Sequence, residues 1–301
     1  MRSLLVIAGP TASGKTALAH ALAAQGPLRL ISADSQLVYR GMDIGTAKPP
    51  AAERAAWGLI DLVDPGQSFS AGEFCRQAKP LVEAAWGQGQ TPVLVGGTGL
   101  YLKALLEGLA DIPAVPDEIR ERLEDEHRRL GLEPLLARLD AVDPAGAAAL
   151  DRKNPRRVLR ALEVFEATGR ALSAWQRDTH PAVSPDRALW LGLDPGAEAL
   201  EERIRARVQS SLAEGWLQET LCLQEKWGAE AVGKSAAIGY PELSAVLKGT
   251  RTLEQASQDI LIQTRQYARR QRTWFRAQAD IHWSASPVQA LADPALATFL
   301  S

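Results

Sequence analysis

Eight consecutive residues near the amino end, Gly9-Pro10-Thr11-Ala12-Ser13-Gly14-Lys15-Thr16, are the part of this sequence best suited to chemistry. They fit G-x-x-x-x-G-K-[ST], a phosphate-binding loop when it lies between a strand and a helix. The glycines let successive backbone N–H groups point into one concavity, and the helix start beyond them adds partial positive charge. Lys15 supplies a full charge, and the Thr16 hydroxyl is an oxygen that can hold Mg²⁺. The loop does not name the reaction. Phosphoryl-transfer enzymes of this type usually carry an acid at the end of a later strand, whereas the run 92–95 ends in Gly96-Gly97-Thr98. Asp34 and Asp61 are the rival carboxylates. Asp34 closes the apolar run 28–33, so it falls at the carboxyl edge of a sheet, where ligands of open α/β folds collect. It can serve there as metal ligand, general base or helix N-cap. Thr98 is open between contact with a reacting group and capping of the helix that follows.

Two basic stretches add a second theme. Residues 152–160 place Arg156 and Arg160 on one helical face, with Arg157, Val158 and Leu159 between them. Residues 265–276 hold five arginines and no acid, with Tyr267, Trp274 and Phe275 interleaved. Such runs are often solvated helix faces. Arginine beside aromatic rings also suits phosphate oxygens and unpaired bases. The four histidines (His20, His127, His180, His282) lack metal-ligand spacing, and neither Cys75 nor Cys222 has a neighbouring histidine. Two cysteines exclude a disulfide scaffold and fit a reducing compartment.

The elements that must position these residues follow from hydrophobic periodicity. Residues 4–8, 28–33, 92–95 and 188–193 are short apolar runs of strand length, and 281–283 is a further candidate. Between them, helices are expected over 17–24, 74–86, 100–106, 198–214, 217–226, 240–247 and 252–276. Unbroken apolar strands alternating with helices imply a parallel sheet covered on both faces. Strand signals vanish between residues 113 and 183, where helices over 117–130, 134–142 and 156–168 point to an all-helical insertion. The expected organisation is therefore an α/β core of P-loop NTPase-like type, residues 1–112 and 184–301, with a helical insertion domain at 113–183.

Composition agrees. The 301 residues are 46% hydrophobic and 23% charged, an ordinary globular balance. A net charge of −2 confines any nucleic-acid site to a local patch. No apolar run approaches the ~18 residues of a membrane span. The run at 4–8 is also shorter than the ~7–15 residues of a secretory signal core, so it reads as a buried strand.

Together these residues resemble one family, the bacterial tRNA dimethylallyltransferases, which prenylate adenosine beside the anticodon. The resemblance runs nearly end to end. It rests on the phosphate loop at 9–16, Ser32-Ala-Asp-Ser-Gln36, and Tyr39-Arg-Gly-Met-Asp-Ile-Gly-Thr-Ala-Lys-Pro49. It continues through Gly96-Gly-Thr-Gly-Leu-Tyr101, residues 154–163, Ala237-Ile-Gly-Tyr240 and Thr264-Arg-Gln-Tyr-Ala-Arg-Arg-Gln-Arg-Thr-Trp-Phe-Arg276. Two positions depart from the family pattern. Ala56-Trp57-Gly58 replaces paired histidines, and Asn154-Pro155-Arg156-Arg157 replaces Asn-Asp-x-Gln-Arg.

The resemblance implies a mechanism. The loop 9–16 would hold the diphosphate of dimethylallyl diphosphate, with Lys15, Mg²⁺ at Thr16 and Arg203 neutralising the leaving group. Asp34 would take the proton from the adenine amine, and Thr98 would help to place that amine. The anticodon stem-loop would lie on Asp34, Ser35, Gln36, Leu37, Thr98, Arg120, Arg156, Arg157, Val158, Leu159 and Arg160. A cytoplasmic monomer is expected, with the insertion closing on the RNA. A small-molecule kinase and an RNA-binding ATPase module share the loop and the sheet, and stay open at this point.

Overall fold

The computed structural model describes residues 1–278 and 280–300. Two compact units emerge: Met1–Leu106 with Val183–Ser301, and Glu107–Ala182. The sequence texture placed the inner boundary at 113. Residues 107–116 contain no helix or strand, so periodicity has no purchase on them.

The first unit is built on a six-stranded parallel sheet. Its strands are β1 (Ser3–Ala8), β2 (Leu28–Ser32), β3 (Trp57–Gly58), β4 (Thr91–Gly96), β5 (Arg187–Leu193) and β6 (Ile281–Ser284). Their spatial order is β3-β2-β4-β1-β5-β6. The central strand β1 pairs with β4 on one side and β5 on the other, with Ala8 opposite both Gly96 and Gly192. Residues Leu4 to Ala8 are wholly buried, as expected of a strand covered on both faces. The carboxyl ends of β1, β2 and β4 lie together, and the phosphate loop, Asp34 and the Gly96-Gly97-Thr98 turn all leave from that edge.

Helices of this unit before the second unit are α1 (Lys15–Ala23), α2 (Ala71–Gly87) and α3 (Gly99–Leu106). α2 begins with a reciprocal capping box between Ser70 and Glu73. Its buried residues Phe74, Ala78, Val82 and Ala85 follow helical periodicity. Leu18 and Leu22 of α1 pack with Leu5, Ile7, Val93, Val95 and Leu191 of the sheet.

The second unit holds α4 (Asp117–Leu130), α5 (Glu133–Val142), α6 (Pro144–Ala149), α7 (Pro155–Thr168) and α8 (Leu172–Arg177). Leu123, Leu135, Leu139, Val158, Leu159 and Leu162 form its core. Pro155 occupies the first turn of α7, a position where proline costs no hydrogen bond, and Gly169 ends the helix in the left-handed region.

The chain then returns to the first unit with α9 (Ala197–Ala213), α10 (Trp216–Trp227), α11 (Ala229–Gly233), α12 (Tyr240–Leu247), α13 (Leu253–Arg276), α14 (Pro287–Leu291) and α15 (Pro294–Leu300). A helical core forms where Val208, Trp216, Leu223, Tyr240, Leu243 and Ile260 meet Val38, Tyr39 and Met42. The Trp216 indole explains two glycines: a Cβ on Gly45 or Gly239 would overlap its ring. Side chains at those positions would displace the indole, so both must be bare.

Candidate active site

The loop 9–16 links β1 to α1 as its pattern predicts. Gly9 and Gly14 have φ of 146° and 102°, which only glycine adopts readily, and a Cβ on Gly9 would also meet the Leu193 carbonyl. Three cations surround the loop. Lys15 Nζ donates to the Pro10 carbonyl at 2.7 Å. From α9, Arg203 donates to the Ser13 carbonyl at 3.3 Å, and Arg207, one turn on, donates to the Thr11 hydroxyl at 2.8 Å. Burial lowers the Lys15 pKa to about 8; Asp34 opposes that shift and Arg207 adds to it. Burial also holds Arg207 below its ordinary range. Crowded cations that lose hydration without a full set of counter-charges favour an anionic ligand.

Asp34 lies just beyond β2, half-buried, in the electrostatic reach of Lys15 and Arg207. It is not a helix cap, since no helix follows it before residue 51. One carboxylate oxygen accepts the Gln36 N–H at 2.9 Å, the side-chain-to-backbone turn that aspartate favours. The other oxygen accepts no hydrogen bond from the described residues. Thr98 precedes α3, yet its hydroxyl caps nothing. It accepts the Ser35 N–H at 2.9 Å and donates to the Ser35 hydroxyl at 3.2 Å. The Tyr267 phenol from α13 lies near Thr98 and Ser35. Burial pushes that phenol up to about 12, and Asp34 adds to the shift.

α13 is the basic, aromatic stretch singled out in the sequence, and its first role here is scaffolding. Tyr267, Gln271 and Trp274 share a face. Gln271 accepts the Thr11 N–H at 2.8 Å and donates to the Gly97 carbonyl at 3.0 Å. Trp274 lies where a Cβ on Gly99 would go. Arg272 and Arg276 both pair with Asp194, at 3.1 and 2.8 Å, and Arg265 pairs with Glu201 at 2.7 Å. Burial works against ionisation of Asp194, but the Gly196 N–H and the two guanidinium groups hold its carboxyl below the ordinary value. Arg269 and Arg270 are exposed. The spacing of residues 267, 271 and 274 is the sequence signal for this inward face, and the surrounding arginines mask it.

The Tyr39–Pro49 stretch is likewise architectural. Buried Lys48 donates to Asp43 at 3.0 Å, to Asp61 at 2.6 Å and to the Tyr39 carbonyl. Arg54 completes the network, 2.8 Å from Asp43 and 3.4 Å from Asp61. Asp61 is thereby committed to structure, which leaves Asp34 as the carboxylate beside the loop. Glu219 accepts the Asp43 and Ile44 N–H groups at 3.0 and 2.8 Å and the Tyr240 hydroxyl at 2.7 Å. Gln36 accepts the Ile238 N–H at 3.2 Å, and Leu37 is half-buried. Trp57 donates its indole N–H to His20 at 3.1 Å.

In the second unit, Arg156 and Arg157 are exposed on α7. Arg160 pairs with Glu163 at 3.3 Å, Arg120 with Asp117 at 2.9 Å, and Arg152 forks onto Asp140 at 2.6 and 2.9 Å. Val158 and Leu159 are packing residues of that unit's core, so their side chains do not face solvent. Residues 156, 157 and 160 are the ones on the outer side.

A family model described as IPP transferase matches residues 37–278. A tRNA dimethylallyltransferase of Geobacter metallireducens is 44% identical over 286 residues, covering 94% of this chain and 93% of that one. Another, of Stenotrophomonas maltophilia, is 43% identical over 288 residues, covering 93% and 91%. The crystal structure of a tRNA delta(2)-isopentenylpyrophosphate transferase from Staphylococcus epidermidis superposes with a TM-score of 0.69 at 33% identity, covering 100% of this chain and 99% of that one. A eukaryotic dimethylallyltransferase crystallised while acting on tRNA gives a TM-score of 0.79 at 27% identity, covering 99% and 77%.

Proposed function

The chain belongs to the IPP transferase family, and we propose that it moves a dimethylallyl group from dimethylallyl diphosphate to the exocyclic amine of adenosine 37, beside the anticodon of tRNA. It is a prenyl-transferring enzyme of tRNA modification. The observation that carries the finer reading is the pairing of a cation-ringed phosphate loop after β1 with a carboxylate at the end of β2, on the same edge of the sheet and one strand removed. Lys15, Arg203 and Arg207 ring the first, and Asp34 is the second.

The reaction forms a bond between the amine nitrogen and the first carbon of the prenyl group and breaks that carbon's bond to the diphosphate oxygen. Negative charge grows on the departing diphosphate. Preorganised N–H groups and cations aimed at that charge lower the barrier, and we assign that role to Lys15, Arg203 and the loop amides other than those of Thr11 and Ser13, which are bonded within the protein. Aromatic amines are poor nucleophiles and must lose a proton during or after attack. Asp34 takes it, through the carboxylate oxygen not engaged by Gln36. Thr98 fixes the loop carrying Asp34 and lies where it can orient the amine. The adenine must leave its stack to reach this edge, as for other enzymes that act on bases. The product is N6-dimethylallyladenosine.

Magnesium fits as an ion carried chiefly on the diphosphate. Exposed Thr16, in the first turn of α1, offers one hard oxygen, and no cluster of three His, Cys, Asp or Glu exists among the described residues. When bound, the ion adds positive charge beside the leaving group. Arg120, Arg156, Arg157 and Arg160 give the second unit a basic outer side suited to the phosphates of the anticodon stem-loop. No helix among the described residues is long and apolar enough to cross a membrane. We place the reaction in the cytoplasm, where tRNA is abundant and the free thiols of Cys75 and Cys222 stay reduced, with one chain as the working unit.

The test is mass spectrometry of anticodon-loop nucleosides after incubation with unmodified tRNA and dimethylallyl diphosphate. A dimethylallyl mass increment confined to adenosine 37 is expected. An unmodified loop, together with ADP formed from ATP in a parallel incubation, would establish the kinase reading instead.

A further inference from the structure

The donor and acceptor sides of this site sit on different loops, and a single buried side chain joins them. Gln271 is 5% exposed. Its Oε1 accepts the Thr11 N–H at 2.8 Å, on the phosphate loop after β1. Its Nε2 donates to the Gly97 carbonyl at 3.0 Å, on the turn after β4. An amide has one acceptor end and one donor end, and this orientation satisfies both. Gly97 must be glycine for the contact to exist, because a Cβ there would overlap Nε2. Gly97 is followed directly by Thr98, whose hydroxyl holds the Ser35 amide beside Asp34. Tyr267, one turn earlier on α13, approaches Thr98 and Ser35 from the same face.

We propose that Gln271 is a positioning residue that sets the separation between the diphosphate cradle and the acceptor adenine, acting through Thr11 and Gly97. This rests on the prenyl-transfer reading. Bond formation between amine and carbon needs the reacting atoms near ~3–3.5 Å in line, and a displacement of about 1 Å costs on the order of 100-fold in rate. β1 and β4 are hydrogen-bonded neighbours only as far as Ala8 and Gly96. Beyond that register, the Gln271 amide spans the gap between the two loops. The amide hydrogen of Thr11 is occupied by this contact, so Thr11 serves the cradle by its placement.

The experiment compares the full chain with Q271M and Q271E in steady-state transfer to unmodified tRNA. Methionine keeps the length and removes both hydrogen bonds. Glutamate keeps the bond from Thr11, and only its protonated form can donate to Gly97. Lys15, Arg203 and Arg207 are the charged groups around the loop it grips. For Q271M the expected result is a kcat lowered about 100-fold, with KM for each substrate within about threefold. For Q271E, the rate relative to the unaltered chain should rise as pH falls from about 6 to about 4.5, toward the ordinary glutamate range. A Q271M kcat within threefold of the unaltered chain overturns the proposal. So does a loss that appears in KM rather than kcat, or a flat Q271E ratio across that range. If Q271M does not fold, the Q271E ratio decides alone. Absence of transfer by the unaltered chain is a different result and overturns the prenyl-transfer reading itself.

Discussion

The Thr98 hydroxyl accepts the Ser35 N–H at 2.9 Å, so a side chain at the end of β4 fixes the loop that leaves β2 with Asp34. Thr98→Val removes that acceptor and leaves a half-buried amide without its partner. An unmet donor of this kind costs about 1–3 kcal/mol. The expected outcome is a lower urea midpoint together with a kcat reduced by more than tenfold. Thr98→Ser keeps the hydroxyl and should retain both. A valine variant with full turnover would separate Thr98 from the reaction.

Asp34→Asn preserves the oxygen that accepts the Gln36 N–H, and with it the local turn. It removes the proton acceptor. General-base catalysis contributes ~10²–10⁴-fold, so kcat should fall by at least about 100-fold while the melting temperature stays unchanged. Affinity for tRNA, measured by filter binding, should remain within a few-fold. Because Asp34 also sustains the charge on Lys15, the same variant should weaken donor binding above neutral pH.

Lys15 supplies the pH dependence. Its folded pKa, lowered to about 8 mainly by burial, lies below the unfolded value. The folded protein therefore releases this proton before the unfolded chain does, and between about pH 8 and about pH 10.5 stability from this group rises with pH. Diphosphate affinity moves the other way, because binding needs the charged ammonium. The profile of kcat/KM for the donor reports ionisations of the free enzyme. It should bend downward near pH 8, falling about tenfold per unit beyond. Lys15→Arg should abolish that bend in whatever rate remains, and a wild-type profile flat to pH 10 would remove Lys15 from donor capture.

Arg156 and Arg157 are solvent-facing residues of α7 with no acidic partner among the described residues, unlike Arg160 and Arg120. If they meet RNA phosphates, each alanine substitution should lower the salt slope of tRNA binding by about 1 and weaken binding to all tRNAs alike. Val158→Ala, by contrast, opens the core of the second unit. Its effect belongs to stability, on the order of 1–3 kcal/mol, with the salt slope unchanged. The decisive measurement is a salt titration of tRNA affinity for all three variants.

The strand runs 4–8, 92–95 and 188–193 were readable because burial on both faces demands unbroken apolar residues, and the loop at 9–16 because its geometry demands its glycines. Asp34 was readable from its place after β2. What the sequence concealed is pairing. Arg272 meets Asp194 across 78 positions, and nothing in the run 265–276 tells which guanidinium groups will find a carboxylate once the chain closes. The same holds for Lys48, whose two aspartates come from either side of Arg54. β3, only two residues long, carries no periodicity at all. Gly45 and Gly239 are explained only by the indole of Trp216 between them, a relationship between three distant segments.

The Glu219 carboxylate tests how far that hidden architecture controls the site. It accepts the Asp43 and Ile44 amides and the Tyr240 hydroxyl, and so binds the Asp43–Lys48 turn to α10 and α12. Burial, reinforced by Glu219, drives the Tyr240 phenol well above its ordinary pKa, so it stays a donor throughout the working range. Glu219→Gln retains one oxygen but turns an NH₂ group toward donors, and hydrogen bonds to charged groups are worth ~1.5–3 kcal/mol each. A loss of about 2–4 kcal/mol in urea unfolding is expected, against about 1 kcal/mol for Tyr240→Phe. The two changes touch one network, so the double variant should lose less than their sum. Arg207, which reaches from Thr11 to the Gly45 carbonyl at 3.4 Å, connects this turn to the phosphate loop. Donor KM should therefore rise in Glu219→Gln even at temperatures where the variant is fully folded. An unchanged KM would confine Glu219 to stability and leave the loop held by α9 and α13 alone.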